Sequence, residues 1–155
     1  MFDILMYLFE NYVHAAACPE SEQLARKLSA AGFEDDEITE ALEWLTELRQ
    51  VAHVSPMVIA PQHASIRIYS AEEQAKLDTE CRGFLAFLEN AGALDSVARE
   101  LIVERTMALN GFSMNLTRFK VIVLMVLWQR DEPLDSLIID ELLTDDVEED
   151  SPVLQ

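Results

Sequence analysis

Few residues in this chain have the means to do chemistry. Three histidines and two cysteines are present among 155 residues, and a metal site needs such ligands at spacings that bring them to one ion. His14 and Cys18 stand four apart, so one helix face would hold both, and His53 and His63 flank a short apolar stretch. No CxxC, HExxH or HxH accompanies either pair, and no metal or cofactor is expected. Cys81 falls in an apolar helical stripe without a histidine nearby in sequence, which reads as a buried structural thiol and not a nucleophile. The glycines Gly32, Gly83, Gly92 and Gly111 are scattered, whereas a phosphate cradle needs them clustered ahead of a helix. Carboxylates abound, but in an acidic chain solvated helix faces account for them. No catalytic, cofactor-binding or metal-ligating residue is assigned, and the chain reads as a non-enzyme.

Charge is the stronger signal. The chain carries 29 acids against 11 bases, a net charge of -18. Residues 1–70 contribute -7, residues 71–130 only -1, and residues 131–155, which have ten acids and no base, -10. A field of that sign steers a protein toward cationic surfaces and opposes nucleic acid or anionic lipid. The longest apolar run, Val121 to Trp128, falls well short of the ~20 residues of a membrane span. With no leader-like N-terminus and no cysteine framework, a reduced, cytoplasmic protein without membrane contact is expected.

The elements that would position these groups are mostly helical. Phe2 to Ala17 has Asp3 at its start and Ile4, Leu5, Leu8, Phe9 and Tyr12 at helical spacing, and Pro19 stops it. Glu20 to Ala31 places Leu24 and Leu28 inward and ends on Gly32 in the left-handed conformation. Asp35 or Asp36 opens a third helix with Ile38, Ala41, Leu42, Leu45 and Leu48 on one face and Trp44 at its edge. After Gln50 the pattern turns β-favouring: Val51, His53, Met57 to Ile59, then Ile66, Ile68 and Tyr69, interrupted at Pro61, suggest a small hairpin.

Ser70 to Glu73 spells a capping box, which starts one long helix through Leu77, Cys81, Phe84, Leu85 and Leu88 to Gly92. Asp95 or Ser96 caps another, with Val97, Leu101, Ile102 and Leu109 inward and Arg99, Glu100, Glu104 and Arg105 outward. Glu100 and Glu104 form a like-charge pair that nearby arginines would have to offset. Leu116 to Gln129 is too apolar all round for a surface helix and should be central. Pro133 would sit in the first turn of a last helix, Leu134 to Leu143. Beyond it, five of the six residues Asp145 to Asp150 are acidic, a composition that resists ordering.

The expected fold class is therefore mainly α. A helical N-terminal winged-helix-like module with a small β-hairpin occupies residues 1–70, a C-terminal helical bundle packed on it residues 71–143, and a disordered acidic tail residues 144–155. A winged helix raises duplex binding as a function, but the helix that would enter the groove carries Asp35, Asp36, Glu37, Glu40, Glu43 and Glu47 against Arg49 alone. Such a face repels phosphate.

Several blocks carry a resemblance: Met1 to Glu10, Ala31-Gly32-Phe33, Ala41-Leu42 with Trp44-Leu45, Arg67 to Ser70 with Glu72-Glu73, Cys81 to Glu89, Arg99 to Arg105, and Val123 to Leu127. To about Leu143 the chain resembles the Smg family of proteobacterial proteins, a domain of unknown function. The resemblance supplies no catalytic residues; genes of the family lie beside one for a protein that processes incoming DNA, which implies a link to DNA metabolism. Two functions follow as expectations. The first is a non-enzymatic adaptor offering acidic surface to a basic protein partner. The alternative is an accessory factor in DNA processing that holds nucleic acid through Arg82, Arg99, Arg105, Arg118 and Lys120, which requires those five on one face.

Overall fold

Eight helices account for the regular structure of the described residues, which in this computed structural model are 1–12, 20–53, 67–111, 113–130 and 135–144. They are α1 (Phe2–Tyr12), α2 (Ser21–Ala30), α3 (Asp35–His53), α4 (Ala71–Lys76), α5 (Thr79–Asn90), α6 (Ser96–Met107), α7 (Leu116–Gln129) and α8 (Ser136–Leu143). Short polar side chains begin most of them. Asp78, Asp95, Asn115 and Asp135 each accept a backbone N–H from the first turn of α5, α6, α7 and α8 at 2.7–3.1 Å. At α4 the capping box is complete: the Glu73 N–H donates to Ser70 Oγ at 3.2 Å and the Ser70 N–H to Glu73 Oε2 at 2.9 Å.

Two helices stop on the same device. Gly32 at φ 100° and Gly92 at φ 74° take the left-handed conformation. This lets the N–H of Phe33 reach the Leu28 carbonyl and that of Ala93 the Leu88 carbonyl. After Gly32 the chain returns to pack α3 against α2; after Gly92 it leads into α6, which Arg99 ties to Glu89 of α5.

Helix α7 is the centre. Every residue from Phe119 to Leu127 is buried, and α1, α3, α5, α6 and α8 all pack on it. A fully buried aliphatic or aromatic side chain stabilises by roughly 1.5–3 kcal/mol, so no other segment gathers as much hydrophobic stabilisation in so few residues. Among them is Lys120, whose side chain is 4% exposed. Its Nζ donates to the Thr144 carbonyl at 3.3 Å, lies 4.0 Å from Glu141 Oε1 and sits over the Phe84 ring.

The structure corrects several expectations. Val51 and His53, read as the start of a hairpin, belong to α3. Ala52 falls in line with Ala41, Leu45 and Leu48 at i, i+4, i+7 and i+11, so the helix keeps its core face despite the β-branched Val51. Arg67 to Tyr69 forms no strand; the Ile68 carbonyl accepts from Arg67 Nη1 and the Tyr69 carbonyl from Gln74 Nε2. Residues 54–66, which carry the rest of the expected hairpin, lie outside the described residues.

The single helix expected from Ser70 to Gly92 is two. Leu77 is extended at φ -99° and ψ 106°, and Asp78 caps a new start. The last helix begins at Ser136, not Leu134, because Asp135 caps it. Thr144, assigned to the tail, is fastened instead, its N–H and hydroxyl both donating to the Asp140 carbonyl. Residues 13–19 and 145–155, which include the end of the first expected helix and the acidic run, lie outside the described residues.

Candidate functional site

The helical period sorts α3 into stripes. Ile38, Ala41, Trp44, Leu45 and Leu48 are buried. Opposite them Asp36, Glu40, Glu43 and Glu47 recur at i, i+4, i+7 and i+11, which stacks four exposed carboxylates along one side. Asp36–Glu40 and Glu43–Glu47 are like-charge pairs at i, i+4, each costing about 0.2–0.5 kcal/mol of helix stability. Acids in the first turn suit the helix dipole, but Glu43 and Glu47 lie well beyond it. Neither Glu40 nor Glu43 pairs with a cation among the described residues.

Between the acidic and the buried stripes runs a third. Thr39, Leu42 and Thr46, with Glu43 and Glu47 on the rim and Ser21 from the start of α2, line an open groove of about 420 Å³. Leu42 is half-buried at its floor. The two threonine hydroxyls donate to carbonyls of their own helix, Asp35 and Leu42, so they present methyl groups and satisfied oxygens to the groove.

Glu47 links this surface to the interior. Its Oε2 accepts from Arg105 Nη1 at 2.9 Å; the Glu47 side chain is 61% exposed and that of Arg105 only 7%. One turn earlier on the same helix, the Trp44 indole N–H donates to the Arg105 carbonyl at 3.3 Å. Arg105 Nε is buried and finds no acceptor among the described residues. Arg105, expected outward, is therefore an interior cation joining α6 to α3. Residues with aliphatic stems and charged tips take such positions when a carboxylate waits at the end.

A second charged assembly is centred on a residue that carried no role in the sequence. Arg67 grips Glu73 with Nη1 at 2.7 Å and Nη2 at 2.8 Å, and Glu100 with Nε at 2.8 Å and Nη2 at 3.1 Å. Arg99 then bridges Glu100 at 3.0 Å to Glu89 at 2.9 Å. The chain of alternating charges ties the segment before α4 to α4, α6 and α5, with bidentate contacts that fix geometry. The Arg67 guanidinium holds the Glu73 carboxyl down at about 2, helped by the Ser70 N–H. Glu100 is lowered by Arg67 and then Arg99, and Arg67 itself is raised, by Glu73 foremost. Arg67 also covers the Tyr69 ring at 4.5 Å; burial raises that phenol. Glu100 thus has the arginine neighbours its like-charge spacing to Glu104 requires. The capping-box glutamate was the one signal in sequence that could have located this hub.

The five cations proposed to hold nucleic acid are not brought to one face by any described contact. Arg82 donates to the Leu77 and Asp78 carbonyls, Arg99 to Glu89 and Glu100, and Arg105 to Glu47. Arg118 donates to the Ser113 carbonyl and lies over Phe2, and Lys120 is buried. Another cavity, of about 640 Å³, mixes Asp3, Glu10 and Glu37 with Arg118 and Lys120, so it selects no ligand charge.

No group of three or more candidate metal ligands occurs among the described residues; His14, Cys18 and His63 lie outside them. Cys81 is fully buried, and burial, with the Asp78 carboxylate, pushes its thiol up to about 12. No helix of the described residues is long and apolar enough to cross a membrane.

The family described as Protein of unknown function (DUF494) matches residues 1–151. A "Protein Smg homolog" of Aromatoleum aromaticum is 77% identical over 155 residues, covering 100% of both chains. One of Azoarcus sp. is 62% identical over 154 residues, 99% of each, and one of Bordetella petrii 44% identical over 146 residues, 94% of this chain and 96% of the relative. No solved structure matches.

Proposed function

The chain belongs to the Smg family (DUF494), and from that premise we propose that it is a non-enzymatic cytoplasmic adaptor whose acidic α3 face receives a basic protein partner. The observation that carries this reading is the carboxylate stripe of Asp36, Glu40, Glu43 and Glu47, exposed along α3 at a cost to the helix. It is supported by the opposite treatment of cations, several of which are turned inward onto carbonyls and carboxylates. Complementary charge speeds encounter and rejects anionic competitors. Helices α1 to α3 serve in this reading as the docking module, in place of the duplex contact their order suggested. The nucleic-acid alternative loses support because its five cations are already engaged.

Affinity capture from the native cell at two salt concentrations, followed by mass spectrometry, tests the proposal. A basic protein should be recovered at low salt, and lost both at high salt and with the double variant Glu40→Lys, Glu43→Lys. Reversing the exposed acids Glu72 and Glu80 instead should leave capture intact. Recovery of no partner at low salt sinks the adaptor. Anisotropy showing tight duplex binding at low salt would move the function to the alternative.

A further inference from the structure

We infer that the partner element seated on α3 is a basic amphipathic helix of another protein, its cations on the carboxylate stripe and one apolar side chain in the groove over Leu42. This rests on the adaptor reading and specifies the partner's chemistry. A purely electrostatic surface needs only the carboxylates. Here a recess of about 420 Å³ runs directly beside them. Thr39, Leu42 and Thr46 recur at i, i+3 and i+7, two turns of helix, which is the length and direction of a stripe that receives another helix.

The recess is suited to an apolar group and not to a hydrated one. Its floor is Leu42, and its hydroxyls already donate to Asp35 and Leu42 carbonyls. Charge complementarity selects the flanks of the occupant. Glu43 has no cation of its own among the described residues, and Glu47 is held by Arg105 at 2.9 Å. That bond fixes one carboxylate oxygen on Arg105 and limits the side-chain freedom a partner must remove on binding. A lysine or arginine whose stem lies along the threonine methyls would bring its charged tip to this rim. Nucleic acid offers neither the cations nor the apolar insert. A polyamine offers cations alone.

The probe is a pair of synthetic lysine-rich helical peptides of equal length and charge. One has leucine at i, i+3 and i+7, and the other alanine there. Each is titrated by fluorescence anisotropy into the full chain at low salt. The leucine peptide should bind about tenfold tighter or more, the value expected for burying one side chain of that size. Thr39→Tyr and Thr46→Tyr fill the groove at exposed positions without changing charge, and should each erase the preference while leaving the charge-driven binding. Equal affinity for the two peptides overturns the groove inference and leaves the adaptor reading standing. A preference that survives both tyrosine variants also overturns it, since the apolar contact would then lie elsewhere. Absence of binding by either peptide removes the adaptor reading as well. Displacement of the leucine peptide by spermine at equal charge concentration replaces the helix by a small cation.

Discussion

The Trp44 indole N–H donates to the main-chain carbonyl of Arg105 at 3.3 Å, while the Arg105 side chain returns to Glu47, one turn further along the helix that carries Trp44. Helices α3 and α6 are thereby joined by one neutral and one charged hydrogen bond through a single residue. Trp44→Phe removes the donor together with the five-membered half of the indole, leaving a buried carbonyl short of its partner beside a small void; the expected loss is about 2–4 kcal/mol in urea unfolding. Arg105→Met should cost less than about 1 kcal/mol, because an aliphatic stem replaces a buried cation that already has one unpartnered N–H.

Acid should weaken the Arg67 hub in a defined direction. The folded Glu73 carboxyl titrates at about 2, below its ordinary 4.5. The stability it adds is therefore full above pH 4.5 and is lost as pH falls from there through about 2. Urea midpoints of wild type and Glu73→Gln should differ most at pH 7 and converge toward pH 2. A difference that stays constant over that range would show that Glu73 acts by shape and not by charge.

Two glycines should respond with opposite signs. Gly32 sits at φ 100°, where a side chain is strained, so Gly32→Ala should lower stability by about 1–2 kcal/mol. Gly83 lies inside α5 with open space where a Cβ would stand, so Gly83→Ala should raise stability by roughly 0.4–1 kcal/mol. Thermal unfolding of the two variants beside wild type reads both.

Cys81 should be silent until the fold opens. With its thiol buried and pushed up to about 12, negligible thiolate exists at pH 8. In a Cys18→Ser background, a disulfide-exchange reagent should release no chromophore from the native protein and one equivalent in denaturant. Rapid native labelling would place Cys81 in a reactive setting.

Local chemistry was legible in the chain. Ser70 and Glu73 announced their capping box, Gly32 its left-handed turn, Gly92 the end of its helix, and Leu116 to Gln129 its burial, because each is written within a few consecutive residues. Features that depend on distant partners were not. Arg105 reads as a surface cation until Glu47, 58 residues away, is brought to it. The break at Leu77 was hidden because the apolar period through Cys81 to Leu88 continues across it, while Asp78 looks like any exposed acid. Val51 favours strands, yet α3 carries it because Ala52 completes the buried face. Of the candidate site, the carboxylates could be listed from sequence; the groove could not, since Ser21 of another helix closes one side of it.

Helix α7 comes late in the chain, and α1 and α3 pack on it. A ribosome adding about 5–20 residues per second releases α1 and α3 several seconds before residue 129 follows them. Throughout that interval α1 and α3 lack the helix on which both will pack. A chain arrested ahead of Leu116 should therefore leave the α7-facing sides of α1 and α3 uncovered, and light scattering of that fragment should show aggregation that the full chain does not.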